Sequence, residues 1–168
     1  MILINDLPIF EPLNPTFVDF GAEGYIYRCS DSLAIKVPLA PFNQYLVRLE
    51  NENTINHRLY FGGVAVPQPV GLFKITASFF PRLPGWYANP DYVPALVREF
   101  ISGKEFNDLT DTQKMRAMIL HEQELDKVHQ LGIVPFGDAS YAGNCFYEFE
   151  DDSLKRAVLI DFGFWGMQ

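Results

Sequence analysis

Hydrophobic and polar positions in the first third of the chain predict short β-strands. Runs rich in aromatic and β-branched residues span positions 16–20, 25–29 and 33–38, and such runs are typical of strands. Turn-forming residues separate them, at 21–24 and again at 30–32. The pattern therefore predicts a three-stranded antiparallel meander.

From residue 41 to residue 60 the pattern becomes helical, and Gly62-Gly63 ends it. The apolar positions recur at three- and four-residue spacing: Tyr45, Leu46, Leu49, Ile55 and Leu59. Strand-like runs return at 69–76 and 94–101. The proline-rich stretch between them predicts a loop or a sheet edge.

A second helix is predicted from about residue 111 to residue 131. Thr110 and Gln113 have the spacing of a capping box, in which each side chain satisfies an amide at the helix start. The predicted buried stripe consists of Met115, Met118, Ile119, Leu125 and Val128. Two strand-like pieces follow, at 145–149 and 157–160. This order of elements predicts an α+β fold.

Composition narrows the class of protein. The 168 residues are 48% hydrophobic, which suits one globular domain. A net charge of -8 with scattered basic residues argues against a nucleic-acid partner. No segment reaches the ~18 apolar residues of a membrane span, and the N-terminus lacks the basic region of a secretory signal. With only Cys29 and Cys145, the chain fits a reducing compartment. A cytoplasmic location is expected, and delivery into a host cell by a specialised secretion system stays open.

The first candidate for chemistry is the loop Gly21-Ala22-Glu23-Gly24 between two predicted strands. Glycines in such a loop let the backbone approach a polyphosphate and direct N–H groups at it. An ordinary hairpin has the same pattern. The loop is neither a Walker A motif nor a dinucleotide fingerprint, because no Gly-Lys-Ser/Thr and no helix follow it.

Lys36 lies inside the apolar run at 33–38, where an ammonium group is costly to bury without an anionic partner. A phosphotransferase provides that partner as nucleotide phosphates together with a helix carboxylate. The following helix offers Glu52, which we prefer, and Glu50 as the alternative. A lysine on an edge strand and solvated helix acids would give the same residues.

Two later segments could complete a nucleotide site. The backbone groups of Glu99 and Ile101, where a strand leaves into a loop, could pair with an adenine edge. Asp138 and Asn144 are followed by Asp161-Phe162-Gly163, which comes after a buried strand. Carboxylate and amide oxygens suit Mg²⁺, and a separate carboxylate can orient an acceptor hydroxyl. Turn formation by these polar residues is the alternative.

Together these motifs resemble the eukaryotic-type protein kinase superfamily in its smallest forms. The glycine loop with Tyr27-Arg28 is similar to that of the atypical Bud-type and RIO-like kinases, and the short chain is similar to bacterial effector kinases of the OspG and HopBF types. The resemblance extends from about residue 20 to residue 163. It implies a minimal bilobal fold over 1–168, with an N-lobe of about 1–100 (an antiparallel sheet with one helix) and a reduced helical C-lobe of about 101–168.

The resemblance also implies a role for each candidate residue. ATP would lie between the lobes, under the loop 21–24. Lys36 and Glu52 would form the strand-lysine/helix-glutamate pair, and Glu99 to Ile101 would be the hinge. Asp138 would be the acidic residue of the catalytic loop, and Asn144 with Asp161 would hold Mg²⁺, with Mn²⁺ as an alternative metal.

The chain departs from the family pattern in three places. Phe136 stands where the catalytic loop normally has a histidine, so it can supply packing but no hydrogen bonds. Six positions separate Asp138 from Asn144 instead of the usual five, and Gly143 would accommodate the extra residue. Only five residues follow Gly163, so an activation segment and the helices that hold a peptide substrate are not expected.

The sequence therefore predicts an ATP- and Mg²⁺-dependent phosphotransferase, in the first instance a small Ser/Thr protein kinase with a protein substrate. A pseudokinase-like module that binds nucleotide or only a partner protein is the alternative. A small-molecule kinase ranks third, because those enzymes carry a large acceptor-binding helical part. A partner or a second copy could cover apolar surface on the reduced C-lobe.

Overall fold

The computed structural model describes residues 3–20, 24–30, 32–40, 43–80, 83, 91–136 and 141–167. The chain divides into two compact units. The first combines Met1–Asn53 with Pro69–Phe100, and the second combines Thr54–Gln68 with Ile101–Gln168. The first unit thus ends at Phe100, and residues 54–68 group with the second unit. Assignment of the two units as kinase lobes stays a prediction.

The first unit contains a five-stranded antiparallel sheet with the order β1-β2-β3-β5-β4. Its strands are β1 Thr16–Phe20, β2 Gly24–Cys29, β3 Leu33–Pro38, β4 Pro69–Thr76 and β5 Tyr92–Glu99. The predicted meander is confirmed, because β2 pairs antiparallel with both β1 and β3. Strand β5 begins and ends two residues earlier than predicted, since Tyr92 and Val93 pair with Thr76 and Ile75 of β4.

Alternation along the strands separates two faces of this sheet. One face forms an apolar core, to which β3 contributes Ile35 and Val37 and β5 contributes Val93, Ala95 and Val97. The opposite face carries the intervening residues. There the register places Ala34 opposite Arg98 and Lys36 opposite Leu96. Lys36 and Arg98 are therefore neighbours on one face of the sheet.

Helix α1 spans Asn43–Phe61, close to the predicted 41–60. Four of its five predicted apolar positions are buried, namely Leu46, Leu49, Ile55 and Leu59, while Tyr45 is half-buried. Glu52 lies in the same stripe and is also buried. A carboxylate in this place requires cations near it, because burial of an uncompensated charge is costly.

The second unit is built around helix α2, Asp111–Gln130, and a three-stranded sheet. The strands of the unit, which form this sheet and a separate two-stranded one, are β6 Lys104–Glu105, β7 Ile133–Val134, β8 Cys145–Glu150, β9 Ser153–Leu159 and β10 Gly166–Met167. The sheet has the order β6-β8-β9, and β10 pairs with β7. The predicted capping box is confirmed: Gln113 N donates to Thr110 Oγ1, and Thr110 N donates to Gln113 Oε1.

The predicted buried stripe of α2 is wrong at Met115, Met118 and Ile119, which are 64%, 55% and 51% exposed. Leu125 and Val128 are buried as expected, and Ala117 and His121 complete their face. The small Ala117 and the polar His121 lack the hydrophobicity that marks a buried face, so the larger apolar residues beside them dominated the pattern. Met115, Met118 and Ile119 therefore form an exposed apolar stripe on α2.

Neither helix in the part of the chain that the structure describes has the length and hydropathy of a membrane span.

Candidate functional site

Lys36 and Glu52 form a buried ion pair in the first unit. Lys36 Nζ lies 2.6 Å from Glu52 Oε2, and the side chains are only 7% and 1% exposed. Strand β3 directs the Lys36 side chain away from the apolar core of the sheet, and Glu52, in the buried stripe of α1, contacts the Lys36 ammonium group. The pairing with Glu52, rather than with Glu50, is the predicted one.

Arg98 joins this pair and was not identified from the sequence. Its Nη1 lies 2.9 Å from Glu52 Oε1, and its side chain is 10% exposed. Each oxygen of the Glu52 carboxylate thus receives one cation. The signal for Arg98 was weak, because a single arginine in a strand that precedes a loop is usually an exposed residue.

The candidate adenine-binding segment lies directly after Arg98. The amide of Phe100 donates to the carbonyl oxygen of Ser32 at 2.8 Å, and Leu33 is in register with Glu99. Since neighbouring residues of a strand direct their backbone groups to opposite sides, the N–H and C=O of Glu99 are directed away from β3. Ile101 is buried and is grouped with the second unit.

Of the predicted glycine loop, Gly21, Ala22 and Glu23 lie outside the described residues. Gly24 begins β2 opposite Pro38. A Cβ atom at this position would overlap the carbonyl oxygen of Val37. The close pairing of β2 with β3 therefore accounts for a glycine at position 24 whether or not a nucleotide binds there.

In the second unit, Asn144 ends the three-residue 3₁₀ turn Ala142–Asn144, immediately before β8. The hydroxyl of Tyr147 donates to the carbonyl oxygen of Ala142 at 2.8 Å. Burial raises the pKa of the Tyr147 phenol well above its usual range, so the hydroxyl keeps the proton that it donates. Tyr147 therefore holds the turn that carries Asn144, a role that the sequence did not reveal.

Asp161 follows β9 and has a φ of 67°. This left-handed conformation is uncommon outside glycine, although aspartate tolerates it better than most residues. The turn is anchored by two aromatic rings, since Phe162 and Trp165 are buried and lie 5.0 Å apart edge to face. Both rings pack in the core of the second unit. Phe164, which lies between them in sequence, is exposed.

The β8–β9 ladder brings Asn144 and Asp161 to the same end. Cys145 pairs with Leu159, and the amide of Ile160 donates to the carbonyl oxygen of Asn144 at 3.1 Å. An amide and a carboxylate are oxygen donors of the kind that Mg²⁺ prefers, so these two residues fit a magnesium ion by their chemistry. Within 3–20, 24–30, 32–40, 43–80, 83, 91–136 and 141–167, no three His, Cys, Asp or Glu side chains cluster as metal ligands.

Asp138, the candidate catalytic carboxylate, lies outside the described residues, as does Gly137 before it. Phe136 is described, and its side chain is 55% exposed. The expected packing role of Phe136 is therefore at most partial. Its ring does approach Gly166 of β10, where a Cβ atom would come within 2.8 Å of it.

No protein-family model matches the chain, and a comparison with curated proteins finds no significant match.

Proposed function

We propose that the chain is an ATP- and Mg²⁺-dependent phosphotransferase, in the form of a minimal Ser/Thr protein kinase. The observation that carries the proposal is the buried Lys36–Glu52 ion pair on the face of the sheet opposite its apolar core. A strand lysine and a helix carboxylate in this arrangement place an ammonium group for nucleotide phosphates.

In the proposed reaction Lys36 binds the α- and β-phosphates of ATP, and Glu52 keeps its ammonium group in place. The backbone of Glu99 and Ile101 binds the adenine edge, and the loop 21–24 covers the phosphates. Asn144 and Asp161 would hold Mg²⁺, which would neutralise negative charge on the transferring phosphates.

Transfer then requires an acceptor hydroxyl close to the γ-phosphate. The hydroxyl oxygen forms a bond to the γ-phosphorus while the bond from that phosphorus to the β–γ bridging oxygen breaks, and ADP leaves. Asp138 orients the hydroxyl and receives its proton. Positioning and charge neutralisation carry most of the rate in such reactions.

The test is phosphate transfer from labelled Mg²⁺-ATP to the chain itself and to a generic protein substrate. Asp138→Ala and Asp161→Ala are each expected to lower transfer by about a hundredfold or more. Asp126→Ala is the matched control, because Asp126 is an exposed acid on α2. If neither Asp138→Ala nor Asp161→Ala changes the rate of phosphate transfer, this mechanism is refuted. Saturable ATP binding without any transfer would favour the pseudokinase-like module, and phosphorylation of a small molecule alone would favour the third alternative.

A further inference from the structure

Arg98 stands beside both partners of the central ion pair. It is the last residue but one of β5, directly before Glu99, and the register sets it opposite Ala34, two residues from Lys36. Alternation along β3 and β5 puts the Arg98 and Lys36 side chains on the same face of the sheet. Both reach the carboxylate of Glu52, which α1 presents to that face.

Each of the two cations binds one oxygen of the Glu52 carboxylate. Arg98 Nη1 binds Oε1 at 2.9 Å, and Lys36 Nζ binds Oε2 at 2.6 Å. Rotation of the carboxylate about its last carbon–carbon bond would break both contacts together. With Lys36 alone, either oxygen could serve, and the carboxylate could turn. Arg98 therefore fixes the plane of the carboxylate, and with it the direction in which the ammonium group of Lys36 is held.

We propose that Arg98 is a positioning residue that locks Glu52, and through it Lys36, in the geometry that binds the phosphates of ATP. This inference rests on the proposed function. Arg98 itself need not touch the nucleotide. A guanidinium suits the task better than a second lysine, because its planar group holds a fixed orientation toward a carboxylate.

A purely structural role, in which Arg98 only balances buried charge, predicts something different. Its loss would then lower stability but leave the Michaelis constant for ATP unchanged in the protein that remains folded. A positioning role acts through Glu52, so its loss should change ATP binding only while Glu52 is present.

The experiment measures KM for ATP and kcat, with the folded fraction of each protein determined by circular dichroism at the assay temperature. The variants are Arg98→Met, Arg98→Lys, Glu52→Gln and the Glu52→Gln/Arg98→Met double variant. Arg116→Met serves as the matched control, because Arg116 is exposed on α2. Arg98→Met is expected to raise KM about tenfold, because a displaced Lys36 loses one charged contact with the phosphates. Arg98→Lys should recover part of that loss, and the control should match the wild type.

The double variant decides whether Arg98 acts through Glu52. In the Glu52→Gln background, Arg98→Met should change KM by less than about twofold, because the carboxylate that it orients is gone. An equal increase of KM in both backgrounds would overturn the inference, as would an unchanged KM in folded Arg98→Met. If Arg98→Met does not fold, Arg98→Lys carries the test, with a KM above wild type expected and a wild-type KM contradicting the inference. A wild-type protein that neither binds ATP nor transfers phosphate would instead refute the proposed function.

Discussion

Replacement of Glu52 by glutamine should destabilise the protein far more than replacement of Arg98 by methionine. Glutamine preserves the shape of Glu52 and removes its charge, so Lys36 and Arg98 lose the anion that they share. Arg98→Met instead leaves one cation on the carboxylate. Each substitution removes one charge from the same three residues. The difference between their effects on the free energy of unfolding therefore measures the importance of the shared anion.

The expected magnitude follows from the burial of the three groups. The side chains of Lys36, Glu52 and Arg98 are 7%, 1% and 10% exposed. Loss of one partner from a buried ion pair costs about 3–5 kcal/mol, because the remaining charge is buried without compensation. We expect a value in this range for Glu52→Gln and about 1 kcal/mol for Arg98→Met. Since domains are commonly stable by about 5–15 kcal/mol, Glu52→Gln removes a large part of the total.

Urea unfolding followed by far-UV circular dichroism at pH 7 measures this difference. With a slope of about 2 kcal/mol per molar urea, Glu52→Gln should lower the unfolding midpoint by about 1.5–2.5 M. Glu122→Gln, the same substitution at an exposed position of α2, should stay within about 0.3 M of wild type. A Glu52→Gln midpoint equal to that of the Glu122 control would refute the view that Glu52 is the shared anion of a buried cluster.

Three further predictions concern single residues. Burial lowers the pKa of His121 below its ordinary value of 6.5, so His121 is neutral in the folded protein at pH 7. The free energy of unfolding should be highest above about pH 6.5 and should fall as the pH drops below that value, because the unfolded chain binds the proton first. His121→Leu should flatten this dependence in urea titrations between pH 7 and pH 5. Tyr147→Phe removes the donor to Ala142 and should cost about 1–3 kcal/mol in the same unfolding assay, whereas Tyr141→Phe, at an exposed ring, should cost little. Gly24→Ala should lower the thermal midpoint without ATP present, because its Cβ would overlap Val37; an unchanged midpoint would show that β2 and β3 adjust there.

The strands of the first unit could be predicted from sequence because their residues alternate with clear turn residues. Strands β1, β3 and β4 have the predicted bounds. A buried lysine requires an anionic partner, so Glu52 could be preferred from the sequence, although Glu50 and an exposed lysine stayed open. Strand β9 begins four residues earlier than the predicted 157, since Asp151 and Asp152 form a tight turn with positive φ.

Other features depend on tertiary contacts that leave no local pattern. The contact of Arg98 with Glu52 joins residues 46 positions apart in sequence, and nothing in the run around Arg98 distinguishes it from an exposed arginine. The same holds for Tyr147, whose hydroxyl supports the turn before β8. The buried face of α2 was misassigned because Ala117 and His121 are less hydrophobic than the exposed Met115 and Met118.

We propose that Lys36, held by Glu52, binds the phosphates of ATP. Isothermal titration of the wild-type chain and of Lys36→Met with Mg²⁺-ATP tests it most directly. We expect saturable binding of one ATP per wild-type chain and an affinity at least about tenfold weaker for folded Lys36→Met, as for loss of one charged contact. Lys155→Met, at an exposed lysine of β9, should bind like wild type. Equal affinities of wild type and Lys36→Met for ATP, or no binding at millimolar ATP, would contradict phosphate binding by Lys36.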